Sequence, residues 1–195
     1  QEKTAGGRYL ERRGGDGGYM VITQCDNHAP RRRRVEELGI RIVGQFESGD
    51  FCNMQMHPKD TGGSFFEIDE QLGAGAHDAD GPWEPAGPDW QAAKNTDRVT
   101  GIAAAEVQCD HPQTVADRWS EIAEIPLGEV DGQAALILEN GTVRFVECTD
   151  GRPEGLGGID VTTSDASAIL SAADEIGLAT SDNQIQLCGM RINLL

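Results

Sequence analysis

The chain has 195 residues, 16 Lys+Arg against 33 Asp+Glu, and a net charge of -17. That balance excludes a nucleic-acid-binding protein, which needs clustered Lys and Arg against phosphates, and it excludes docking on anionic membranes. No apolar run reaches the length of about 18 residues that a membrane span needs, and the start at Gln1 has no apolar signal core, so a cytoplasmic protein is expected.

In chain order, residues 8–16 read as the tail of a preceding unit. Tyr19 to Asp26 is a strand-like run ending in Gln24-Cys25-Asp26. Asp26 or Asn27 can cap a helix through Arg31-Arg32-Arg33-Arg34-Val35-Glu36-Glu37-Leu38, which Gly39 ends. The four arginines point in all directions from such a helix. Pairing with Glu36 and Glu37 on a solvated surface is one reading, and a site for a phosphate or CoA is the other. Strands are predicted at 40–43, 51–56 and 64–68, and Gly62-Gly63 between the last two supply positive φ for a turn.

Residues 73–97 hold seven Gly and Pro (Gly73, Gly75, Gly81, Pro82, Pro85, Gly87, Pro88) and little periodicity. They read as a linker or ordered surface loop, pinned to its surroundings by Trp83 and Trp90. The opening pattern then returns. Ile102 to Asp110 is a strand ending again in Gln-Cys-Asp, followed by a helix through Val115, Trp119, Ile122 and Ala123 that Pro126 ends. Strands follow at 134–138 and 142–147. A third copy has a strand from Gly158, a helix through Ala168 to Ile176 ended by Gly177, and strands at 184–187 and 191–194. The predicted class is therefore α+β, with a βαβββ unit in three tandem copies. One such unit buries too little of its sheet to stand alone, so units must pair.

Five cysteines without a C-x-x-C pair argue against a zinc ribbon or thioredoxin-type site and for buried free thiols in a reducing compartment. No Ser-His-Asp triad, P-loop or dinucleotide fingerprint occurs, so no nucleotide cofactor is expected.

The tandem βαβββ unit resembles the vicinal oxygen chelate superfamily, which includes glyoxalase I, extradiol dioxygenases, methylmalonyl-CoA epimerase and bleomycin-resistance proteins. The sharpest match is His57-Pro58-Lys59-Asp60-Thr61-Gly62-Gly63-Ser64-Phe65-Phe66-Glu67-Ile68, similar to the last hairpin of methylmalonyl-CoA epimerase-type modules. The resemblance covers most of residues 17–72 by motif and 100–195 by architecture. It implies paired units whose curled sheets form a cup around a divalent metal (Zn, Co, Mn, Fe or Mg). First and last strands supply the ligands. The implied chemistry is metal-assisted proton abstraction next to a carbonyl, of the epimerase, isomerase or lyase type. A small oxo-acid or acyl thioester is the expected substrate and a homodimer the expected assembly. A metal-free protein that sequesters its ligand, like the bleomycin-resistance members, and an extradiol-dioxygenase-like enzyme are the alternatives.

Residue by residue, Glu67 stands at the last-strand position and is expected as metal ligand or base, against a solvent-facing edge residue as the other reading. Tyr19 stands where the family carries a first-strand His and is a candidate acid. His57 is expected to line the cup, or else to bond backbone in its turn. In the second unit the first-strand position falls among Ala103 to Ala105, which cannot ligate. Its last-strand carboxylate would be Glu147, and Asn193 takes that place in the third unit. That pair is expected to be metal-free. Family domains use an even number of units, so a fourth is expected ahead of Gln1. Residues 1–72 then form the second half of one domain, 73–97 the connection, and 98–195 a second domain.

Overall fold

The computed structural model describes residues 4–195. It opens with α1 (Ala5–Arg13), where the tail of a preceding unit was expected. Thr4 Oγ1 accepts the Gly7 N–H at its start, and Gly14, at φ 70°, stops it. Two glycines in its first turn hide this helix from propensity.

The first unit is β1 (Met20–Gln24), α2 (His28–Glu37), β2 (Ile42–Ser48), β3 (Phe51–Met56), a one-turn α3 (Pro58–Thr61) and β4 (Phe65–Gln71). The second is β5 (Val99–Cys109), α4 (Pro112–Ala123), β6 (Leu127–Val130), β7 (Gln133–Ile137) and β8 (Thr142–Glu147). The third is β9 (Gly155–Thr163), α5 (Ala166–Glu175), β10 (Thr180–Ser181), β11 (Gln184–Leu187) and β12 (Met190–Leu194). The βαβββ unit thus occurs three times. The short strands β6 and β10 carry too few alternating residues to be read in advance.

Each unit orders its strands first, last, third, second, with first and last parallel. The first unit makes a four-stranded sheet, β1-β4-β3-β2. The other two join through antiparallel β5 and β9 into an eight-stranded sheet, β10-β11-β12-β9-β5-β8-β7-β6.

The main core lies between the two sheets, and α4 is its wedge. Trp119 is fully buried, stacked on Phe66 of β4 at 4.1 Å and edge-on to Phe145 of β8 at 5.5 Å. Its indole N–H donates to the Gly62 carbonyl at 3.3 Å. This explains the two-glycine turn. Gly62 and Gly63 have φ of +76° and +65°, and a Cβ at either would stand 2.9 Å or less from Val115 or Val107. The turn is a close-packing corner. Three of the four arginines in the run of α2 are taken up by acids: Arg31 by Asp26, Arg32 by Glu36 and Arg34 by Glu121, all near 3 Å. The five cysteines are free; Cys109 is buried, Cys188 exposed and the rest half-buried.

Candidate functional site

On β4, Phe66 and Ile68 face the core, so alternation sends Glu67, Asp69 and Gln71 to the opposite face. That face is not open. Residues 73–97 lie across it, where Trp83 Nε1 donates to Asp69 Oδ2 at 3.2 Å and the Glu84 N–H to Gln71 Oε1 at 2.9 Å. Gln24 Nε2 holds the same segment through the Ala76 carbonyl at 2.8 Å. Glu67 and Asp69 are consequently 3% and 0% exposed.

Their partners are few. Asn53, paired with Asp69 in the ladder, donates Nδ2 to Glu67 Oε1 at 3.1 Å. Asn53 Oδ1, Glu67 Oε2 and Asp69 Oδ1 are buried with no donor, and among the described residues no Lys or Arg pairs with either acid. Burial first, then the Glu67 charge and its hydrogen bond, push the Asp69 carboxyl up to about 7. Two such buried neighbours call for a proton or a cation between them in a low dielectric.

Tyr19 lies elsewhere. Its ring packs 5.0 Å from both Phe65 and Tyr9, on the wall of a pocket of about 270 Å³ between α1, the start of β4 and the start of β9. His57 caps α3, its Nδ1 accepting the Lys59 N–H at 3.0 Å, while Asp60 holds Arg41 at 2.7 and 2.8 Å. Glu67, Tyr19 and His57 make no hydrogen bond or ring contact with one another among the described residues.

The floor of the eight-stranded sheet is built differently. β5 turns Val107 and Cys109 to α4 and so presents Glu106 and Gln108 to the other face. Arg144 of β8 lies between Asp160 of β9, at 2.5 and 2.9 Å, and Glu106, at 3.4 Å. Asn193 donates to Asp160 at 2.7 Å and to Glu106 at 3.2 Å. Arg191 bridges Glu106, Gln108 and Asp150, and Arg152 hydrogen-bonds Asp150, holding that carboxyl well below its usual range. Three carboxylates thus meet three guanidiniums. Of this network the sequence pointed to Asn193 and missed Arg144, Asp160 and Arg191. Glu147 is exposed at the end of β8.

The repeated Gln-Cys-Asp fixes the equivalence of the two floors. With Gln24 matched to Gln108, the pair Ile22–Glu67 corresponds to Glu106–Arg144. Both glutamines do one job. Gln24 ties down the segment after β4, and Gln108 ties down the loop after β8 through the Arg152 and Pro153 carbonyls at 3.2 and 3.0 Å.

No family model matches the sequence, and no curated protein is similar to it at sequence level. Solved structures are similar in fold. A hypothetical protein from Staphylococcus aureus superposes with a TM-score of 0.59 at 12% identity, over 99% of this chain and 73% of that one. The 2,2',3-trihydroxybiphenyl 1,2-dioxygenase of Sphingomonas wittichii gives 0.57 at 11%, over 90% and 69%. The Mn(II)-bound glyoxalase of Novosphingobium aromaticivorans gives 0.57 at 10%, over 90% and 61%. The fold is that of the vicinal oxygen chelate proteins.

A metal of the vicinal oxygen chelate kind fits one floor and not the other. In the eight-stranded sheet the carboxylates Glu106 and Asp160 are already matched by Arg144 and Arg191, which leaves little charge for a metal to match. Beneath residues 73–97, the donor-less oxygens of Glu67, Asp69 and Asn53 suit a hard cation such as Mg²⁺ or Mn²⁺. They lack the nitrogen or sulfur ligands of a zinc site. No group of three His, Cys, Asp or Glu gathers among the described residues, so the Asn53 amide oxygen is needed to complete the set.

Proposed function

We propose that the protein is an enzyme of the vicinal oxygen chelate type that abstracts a proton next to a carbonyl, in an epimerase, isomerase or lyase reaction on a small oxo-acid or acyl thioester. Its centre is the Glu67–Asp69–Asn53 face of the four-stranded sheet. One observation carries this reading: three buried acceptor oxygens on that face have no donor. A divalent cation bound there would supply Lewis-acid polarisation of a substrate carbonyl. Glu67, Asn53 and the donor-less Asp69 Oδ1 would hold it, which leaves Asp69 Oδ2 clear of the cation. Asp69, ordered by the Trp83 N–H, is the carboxylate placed to take the proton. Residues 73–97 exclude water from the site and must lift for substrate to enter, a gating step common to covered active sites. Tyr19 and His57 stay outside this centre, in the pocket wall and the α3 cap.

The test is Mn²⁺ titration of chelator-stripped protein, followed by NMR of hydrogen–deuterium exchange at the carbon next to the carbonyl in a panel of 2-oxo-acids and acyl thioesters. One Mn²⁺ per chain is expected, with exchange that depends on it. Glu67→Gln should weaken metal binding by about 100-fold or more, following the loss of a charged ligand. No bound metal in the wild-type protein overturns the proposal.

A further inference from the structure

The pocket that holds Tyr19 is chemically distinct from the acidic face and uses none of its residues. Its walls include three aromatic rings, Tyr19 packed against both Tyr9 and Phe65, and two cations, Arg12 and Arg13. The Arg13 guanidinium is held in a built seat. Its carbon lies 5.6 Å from the centre of the Tyr9 ring, and Nη1 donates to the Glu154 carbonyl at 3.3 Å. A Cβ on Gly17 or Gly155 would stand 2.2 or 2.8 Å from the guanidinium nitrogens. Yet Nη2 is buried with no acceptor. A buried charged donor left unmatched is costly, and an arriving anion relieves that cost. Arg12 forms no hydrogen bond or ion pair among the described residues, so its fork is available as well.

We propose that this pocket binds a small aromatic carboxylate. The rings take the aromatic face in tilted and edge-on contacts. Arg13 Nη2 and Arg12 take the carboxylate, whose planar geometry matches a guanidinium. A pocket of about 270 Å³ suits a one-ring molecule. Glu154, also on the wall, works against ligands carrying a second negative charge. In a chain of net charge -17, two adjacent arginines facing an aromatic pocket are a local reversal of sign that solubility does not require.

The chain has only two tyrosines, and both line this pocket. Full-length protein labelled with 3-fluorotyrosine therefore gives two ¹⁹F resonances, each a reporter of the site. Benzoate is titrated against cyclohexanecarboxylate and benzyl alcohol at constant ionic strength. Both resonances should move with benzoate, and the two controls should bind about tenfold more weakly. Arg12→Gln should weaken benzoate about fivefold and Arg13→Lys about tenfold, and chelator should change nothing. Arg12 forms no hydrogen bond or ion pair among the described residues, so that variant keeps the test valid if Arg13→Lys disturbs the fold. No movement at tens of millimolar benzoate, equal binding of all three compounds, or benzoate binding unchanged in Arg12→Gln overturns the proposal. None of these results bears on the cation site, which is read by Mn²⁺ alone.

Discussion

The two sheet floors occupy equivalent places in equivalent units, yet they solve the burial of acid in opposite ways. In the eight-stranded sheet, Glu106 and Asp160 come from facing strands β5 and β9, and Arg144 lies between them with two hydrogen bonds to Asp160. In the four-stranded sheet, the position of Arg144 is held by Glu67 and that of Glu106 by Ile22. Among the described residues no strand pairs with the outer edge of β1; a single bridge joins Gly18, ahead of the strand, to Leu156, and Ile22 is exposed. The first floor is internally neutral and closed by its own side chains. The second keeps two acids short of a positive charge beneath a covering segment. A self-neutralised network rigidifies a sheet, whereas an unmatched one leaves chemistry to be completed by a proton or ligand.

Breaking the neutral floor should have the largest effect. Arg144→Leu leaves the buried Asp160 without a cation and Glu106 with Arg191 alone, and a loss of about 3–5 kcal/mol in unfolding free energy is expected by urea denaturation. The companion triple variant Arg144→Leu, Glu106→Gln, Asp160→Asn removes the charges together and should recover most of that loss. If Arg144→Leu alone unfolds at the wild-type urea midpoint, the network carries no structural weight and the contrast between the floors collapses.

The sequence made the units legible because their signals are local. Gln-Cys-Asp recurs at 24–26 and 108–110, and the cap Asn27 and the stop Gly177 bracket their helices where they were expected. The network around Arg144 was not legible for a physical reason. An Arg between Val143 and Phe145 reads as the solvent face of a strand, and its two acid partners lie on strands brought alongside by pairing across 16 and 38 residues. Glu67 was equally divided in sequence between a site and a solvated edge. Its burial comes from residues 73–97, whose Gly and Pro content said loop but whose Trp83 only hinted at contact. The HPKDTGG turn was recognised, but the work it does, docking β4 against α4 through Gly62 and Trp119, needed the tertiary fold.

Intermediate effects should come from the repeated glutamines, which tie down each floor's covering segment. Gln24→Ala frees the Ala76 carbonyl and should cost about 1 kcal/mol, as for one hydrogen bond. Gln108→Ala frees two carbonyls and an Arg191 contact and should cost roughly 2–3 kcal/mol. Hydrogen exchange read by mass spectrometry separates the two. Gln24→Ala should speed exchange in 73–97 alone, and Gln108→Ala in 149–155 alone. Faster exchange of both segments in either variant would mean that the two covers are not independently held.

The smallest expected effect lies at the strand-to-helix corner. The first unit buries His28 there to 4% exposure, while His111 at the matching corner is exposed. Burial lowers the His28 pKa below its ordinary value, and the nearby Glu70 charge offsets this only in part. Among the described residues its Nε2 has no partner, so no hydrogen bond at that nitrogen favours the charged ring. Below about pH 6.5 the unfolded chain takes up a proton that the folded chain refuses, so stability falls on acidification. The loss begins at the unfolded pKa and is complete below the folded one. His28→Leu removes this proton uptake, so urea midpoints of the variant should fall less than those of wild type between pH 8 and pH 5. His111→Leu should leave the wild-type slope unchanged. Equal slopes in wild type and His28→Leu would show that the ring takes up its proton in the folded state, and hence that this corner opens to water.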